Sequence, residues 1–97
     1  MQIGIPTETV AGEHRVAATP ETVKKLIGAG HNVVIERGAG VKAAYIDSAY
    51  EQVGATIQDD AYQGSQLILK VRAPQSDEIQ KLSANTTAVA MFDPYRN

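Results

Sequence analysis

An α/β fold, doubly wound around a parallel sheet of five strands, is what the sequence predicts, and three observations predict it. Short β-branched apolar runs alternate along the chain with stretches whose apolar residues recur at helical spacing. Hydrophobic residues make up 43% of the 97 residues but aromatics only 5%, so the core has to be built from Ile, Val, Leu and Ala, which suits strands packed against helices. Successive apolar runs are separated by connections long enough for the crossovers that parallel strands require.

Each element has its own local reason. Ile3 and Ile5 alternate with small residues ahead of Pro6, which makes residues 2 to 5 a strand that the proline stops. Thr19 offers a hydroxyl cap, Pro20 sits where a missing N–H costs nothing, and Glu21 lies in the first turn where the helix dipole favours an acid. Val23, Leu26 and Ile27 share one face of the helix that follows, over about 20 to 29, and Gly28 and Gly30 supply a left-handed stop. "NVVIE", residues 32 to 36, is a buried strand between glycines. Ile46, Ala49, Tyr50 and Val53 then repeat at helical spacing, with Ser48 and Glu51 as a capping box and Gly54 as the stop. "ATIQ" at 55 to 58 is a third strand, "DDAYQGS" a polar connection, and "LILKV" at 67 to 71 a fourth strand, broken by Pro74. Ser76, Asp77 and Glu78 open a third helix over 76 to 82 with apolar residues at 79 and 82, and "TAVAMF" at 87 to 92 is the fifth strand. The expected architecture is flavodoxin-like, a single domain over 1 to 97 with helices on both faces; because "DPYRN" follows the last strand with no closing helix, the domain is expected to be incomplete.

Charge and composition exclude several classes. The net charge is −2 with no block of like charges, so neither nucleic acid nor an anionic bilayer is an expected partner. The absence of cysteine removes disulfides and thiolate metal sites and fits a reducing compartment. "MQIGIPTE" lacks a basic region and a signal-length apolar run, and no later stretch approaches the ~20 apolar residues of a membrane span, so this piece is expected to be soluble.

Ligands of doubly wound sheets gather beyond the carboxyl ends of the strands, which directs attention to the residues after Ile5, Glu36, Gln58, Leu69 and Phe92. Arg15 follows the first strand, and its guanidinium fork suits a carboxylate or phosphate; the alternative is a solvated surface charge. Lys70 interrupts "LILKV" near the end of the fourth strand, where a buried ammonium needs a partner or a carbonyl to polarise, unless it snorkels out at the strand end. Asp93 follows the fifth strand and either faces the same cleft or forms a turn with Pro94. "GAGVKA" at 38 to 43, with Asp59 and Asp60 downstream, has the spacing of a dinucleotide-binding fingerprint, but the best helix cap comes later, at Asp47 or Ser48, so a tight glycine loop is the preferred reading. His14 and His31 are read as structural or solvated, and no metal-ligand spacing is present.

Taken in order, "IGIPTE", "RVAATP", "HNVVIERGAG" and "LILKVRAP" resemble the N-terminal domain shared by alanine dehydrogenase and the alpha subunit of proton-translocating nicotinamide nucleotide transhydrogenase, over essentially the whole chain. The resemblance implies that Arg15 and Lys70 stand where alanine dehydrogenases hold the carboxylate and carbonyl of pyruvate or alanine. It also implies that the acid/base histidine after the fifth strand is replaced by Asp93, followed by Pro94, a departure that points to the transhydrogenase branch. That branch implies hydride transfer between NAD(H) and NADP(H) coupled to proton translocation. It further implies NAD bound by a downstream domain and no cofactor in this piece, which alone is expected to be inactive. The implied partners are a homodimer mate and a membrane-embedded, NADP-binding beta subunit, on the cytoplasmic side of a bacterial inner membrane. The alternatives are the substrate domain of an alanine dehydrogenase relative using Asp93, and a stand-alone non-catalytic module.

Overall fold

In the computed structural model, which describes residues 1–9, 12–72, 76–82 and 86–90, five strands form one sheet: β1 Gln2–Ile5, β2 Asn32–Glu36, β3 Thr56–Gln58, β4 Leu67–Lys70 and β5 Thr87–Ala90. All pairings are parallel and the order is β3-β2-β1-β4-β5. The five-stranded parallel α/β sheet is as the sequence predicts. Its order is that of the first five strands of the classic dinucleotide-binding sheet, 3-2-1-4-5-6, whereas a flavodoxin-like sheet would run 2-1-3-4-5. Residues 91 and 92 of the expected fifth strand lie outside the described residues.

Three helices accompany the sheet: α1 Pro20–Gly28, α2 Asp47–Gln52 and α3 Ser76–Ile79. The α1 start forms as expected, with Thr19 accepting from the Thr22 N–H at its N-terminus. At its end, His31 N–H donates to Leu26 and Gly30 N–H to Ile27, with Gly30 at φ +98°. This is the paired closure that a left-handed glycine permits. The second helix departs from expectation. Its N-cap is Ile46, no side chain caps it, and Ser48 lies inside the helix, so the expected capping box does not form. The Asp47 carboxylate instead accepts the Gly38 N–H at 2.9 Å and fastens the helix to the glycine loop, leaving Ile46 exposed.

Strand alternation divides the sheet into two unlike faces. Ile3, Ile5, Val33 and Ile35 lie on one face and form the core with Ala18, Val23, Ala39, Tyr50 and Ala55 from the segments around α1 and α2. Gly4, Val34, Ile68 and Lys70 lie on the other face. The connection read from the sequence as polar, 59 to 65, covers that second face, with Ala61, Tyr62 and Ser65 all buried. Gly4 is what lets it approach: a Cβ there would overlap the Ala61 carbonyl oxygen and stand 2.7 Å from Ser65 Oγ. Gly4→Ala is therefore expected to cost roughly 1–3 kcal/mol of stability, read by urea denaturation, and an unchanged midpoint would contradict this packing.

The third helix is shorter than the expected 76 to 82, and it is turned the other way round. Ile79, read from the sequence as one of the helix's apolar residues, is 55% exposed, while Glu78, read as one of its early acids, is 4% exposed. A charge partner on the sheet has overridden the apolar pattern.

Candidate functional site

The connections out of β1 and β4 run in opposite directions from adjacent strands, so the crevice between their carboxyl ends is the topological switch point of the sheet. Two acids from the segment after β1 reach into it. Glu8 Oε2 accepts the Val71 N–H at 2.8 Å and Oε1 the Arg72 N–H at 3.2 Å, closing the two backbone donors just past the end of β4. Its Oε1 also stands 3.4 Å from Lys70 Nζ. Glu13, equally buried, accepts from Arg15 Nε at 2.8 Å and Nη2 at 2.9 Å, from the Arg15 N–H, and from Arg72 Nε at 2.8 Å.

Lys70 occupies the centre of this arrangement. Its position on β4 directs it to the second face, where it is 1% exposed, and its ammonium donates to Glu78 Oε2 at 3.0 Å. The buried Tyr62 hydroxyl donates to the same oxygen at 3.3 Å. Lys70 is thus a buried, doubly paired cation, and the snorkelling alternative is excluded. Among the described residues the network holds the buried Glu8, Glu13 and Glu78 against the buried Lys70 and against Arg15 and Arg72, whose side chains are 48% and 37% exposed.

The electrostatics follow from these contacts. Hydrogen bonds from Arg15, then from Arg72, hold the Glu13 carboxyl far below the usual carboxylate range, and Glu13 in turn raises the Arg15 guanidinium. Burial, followed by the charge of Glu78, pushes the Tyr62 hydroxyl well above its ordinary value. In the core on the other face, burial raises Tyr50 to about 12 while its hydroxyl donates to the Ala18 carbonyl.

Of the residues singled out from sequence, Arg15 and Lys70 belong to one network, linked through Glu13, Arg72 and Glu8. Asp93 lies outside the described residues. Sequence reading missed Glu8, Glu13, Tyr62, Arg72 and Glu78. The only available signal was the need of a mid-strand lysine for buried acids. The glycine loop behaves as a loop: Asp47 takes the Gly38 N–H, only a three-residue 3-10 turn, Val41–Ala43, follows, and Asp59 pairs with Arg37 at 2.8 Å on the surface. His14 is exposed, and His31 lies near the N-terminal amine at the amino end of the strands, opposite the switch point. A cleft of about 230 Å³ also lies toward that end, among Gln2, His31, Asn32, Gly54 and Thr56, away from the charged network. No helix among the described residues is long and apolar enough to cross a membrane.

Known proteins share this sequence and fold. The NAD(P) transhydrogenase subunit alpha of Cereibacter sphaeroides is 38% identical over 100 residues, covering all of this chain and 19% of its own length. The alanine dehydrogenase of Halomonas elongata is 39% identical over 90 residues, covering 90% of this chain and 24% of its own. Among solved structures, the transhydrogenase from Sinorhizobium meliloti superposes with a TM-score of 0.91 at 38% identity, over 100% of this chain and 30% of that one. The chain therefore spans about a fifth to a quarter of the length of these curated relatives. The family model described as "Alanine dehydrogenase/PNT, N-terminal domain" matches residues 4–97. By sequence and by the superposition of its fold, the chain belongs to the alanine dehydrogenase/PNT N-terminal domain family.

Proposed function

We propose that this chain is the N-terminal part of an NAD(P) transhydrogenase alpha subunit, serving hydride transfer between NAD(H) and NADP(H) coupled to proton translocation. The observation that carries the reading is that Lys70 and Arg15 are both engaged by acids of the chain itself. A substrate carboxylate at this switch point would have to displace Glu78 or Glu13, so the cations serve here to hold the domain together. On this reading NAD is bound by a downstream domain, which agrees with a glycine loop whose Gly38 N–H is already taken by Asp47. The 97 residues alone are then inactive. The assembly would include a second alpha subunit and a membrane-embedded, NADP-binding beta subunit, on the cytoplasmic side of a bacterial inner membrane.

The second reading, supported by 39% identity to an alanine dehydrogenase, makes this the substrate domain of an amino-acid dehydrogenase in which Asp93 replaces the histidine. The full-length protein separates the two. Hydride transfer between the two nucleotides is expected, with no NAD reduction driven by alanine, and Arg15→Met is expected to lower stability while leaving transfer within about twofold of the parent. Turnover of alanine, abolished by Arg15→Met, would establish the second reading instead.

A further inference from the structure

The turn that leaves β2 is rigidly built, yet it shows apolar side chains to solvent. Asp47 holds the Gly38 N–H, Gly40 lies so close to Tyr50 that a Cβ would stand 2.7 Å from its ring, and the Tyr45 ring meets Tyr50 edge-on at 6.4 Å. The Tyr45 N–H donates to the Gly40 carbonyl at 2.8 Å and closes the turn, which sets Val41 and Ile46 beside the two closing residues. Val41 is 57% and Ile46 62% exposed, and Ala44 between them is exposed as well. Among the described residues Ala44 is also the only one other than glycine at positive φ, +71°. A Cβ disfavours that conformation, so the surrounding bonds hold the chain in it, and a backbone outlier maintained in this way points to a use.

We propose that the turn from Val41 to Ile46 is a docking knob for the nucleotide-binding domain that follows in the full-length chain. Its place favours that occupant. The turn lies past the carboxyl end of β2, at the end of the sheet where ligands of this fold gather, and a domain carrying a nucleotide has to come to that end. The match covers only 30% of the transhydrogenase from Sinorhizobium meliloti, so most of that chain lies outside it and is available to face such a turn. The size of the patch argues the same way. Three aliphatic side chains fall far short of the ~800 Å² that each partner of a stable complex contributes, so they would not hold a second copy or a separate protein. A domain of the same polypeptide is present at an effective concentration of about millimolar and needs no larger contact. Lys42 is the only charged residue between 41 and 46, which leaves the knob apolar. This occupant rests on the proposed function only in requiring an NAD-binding domain downstream, which both readings of the chain share.

A photo-reactive side chain tests the knob. In the full-length protein p-benzoylphenylalanine is placed at position 46 and, as a control, at position 32, where Asn32 is exposed at the opposite end of the same strand. NAD binding is measured beforehand by calorimetry. On irradiation the probe at 46 is expected to link to peptides of the NAD-binding domain, at a yield at least about fivefold above the probe at 32, in a product that runs as a single chain at every protein concentration. Links that join two chains would put a second copy on the turn. Links confined to residues 1–97, or a yield no higher than at position 32, would leave the turn in solvent. Each of these results overturns the proposal. A full-length protein that binds no NAD would remove the occupant together with the proposed function, whereas NAD binding without the expected links sinks the docking knob alone.

Discussion

Glu8→Ala is expected to remove about 3–5 kcal/mol of stability. Three penalties coincide at that residue. The Val71 and Arg72 N–H groups lose their acceptor, and a buried backbone donor without a partner costs about 1–3 kcal/mol. Lys70, 1% exposed, loses one of its two carboxylates and retains only Glu78. The segment after β1 also loses the tie that holds it across the end of β4. Glu8→Gln, which keeps a carbonyl acceptor but no charge, should fall between the parent and Glu8→Ala. Urea denaturation at neutral pH measures both, and a loss under about 1 kcal/mol for Glu8→Ala would show that the β4 end is held by something else.

Glu13→Gln is expected to cost roughly 2–3 kcal/mol near neutral pH and to flatten the acid limb of the stability profile. The sign follows from the direction of the shift. In the folded chain Arg15 and Arg72 hold the carboxyl far below its ordinary value of 4.5, so the unfolded chain binds the proton more readily. The stabilisation is complete above the unfolded value and drains away as the pH falls below it, toward the much lower folded one. Between about pH 5 and pH 2 the parent should therefore lose stability more steeply than the variant. Equal slopes for the two proteins would mean that Glu13 is not held as its contacts with Arg15 and Arg72 require.

Neither residue stood out in the sequence: apart from the bonds that Glu13 takes from the neighbouring Arg15, their partners are distant along the chain. Glu8 meets Val71 and Arg72, and Glu13 meets Arg72, across roughly sixty positions. Nothing local marks an acid in "TETVAGEHR" as buried. Glu78 misled in a different way. Its place among the first residues of a capped helix has a sufficient local explanation in the helix dipole, and only the position of Lys70 on the second face shows why it turns inward while Ile79 turns out. The alanine and tyrosine of "DDAYQGS" are similarly concealed by a polar average, although both are buried and Ala61 sets its carbonyl above Gly4.

What the sequence determined by itself was everything encoded within a few residues. The strand that Pro6 ends, the Thr19 cap and Gly30 closure of α1, the buried run "NVVIE" and the alternation that makes the sheet parallel all follow from local sterics, capping and periodicity. The same local view marked Lys70 as an ammonium needing a partner. The tertiary structure decided which strands are neighbours, which face each connection covers, and which acids answer Lys70, Arg15 and Arg72. Those choices depend on the closing of the sheet, because a buried charge is neutralised by whatever the fold brings within about 3 Å of it, however far away in the chain that group lies.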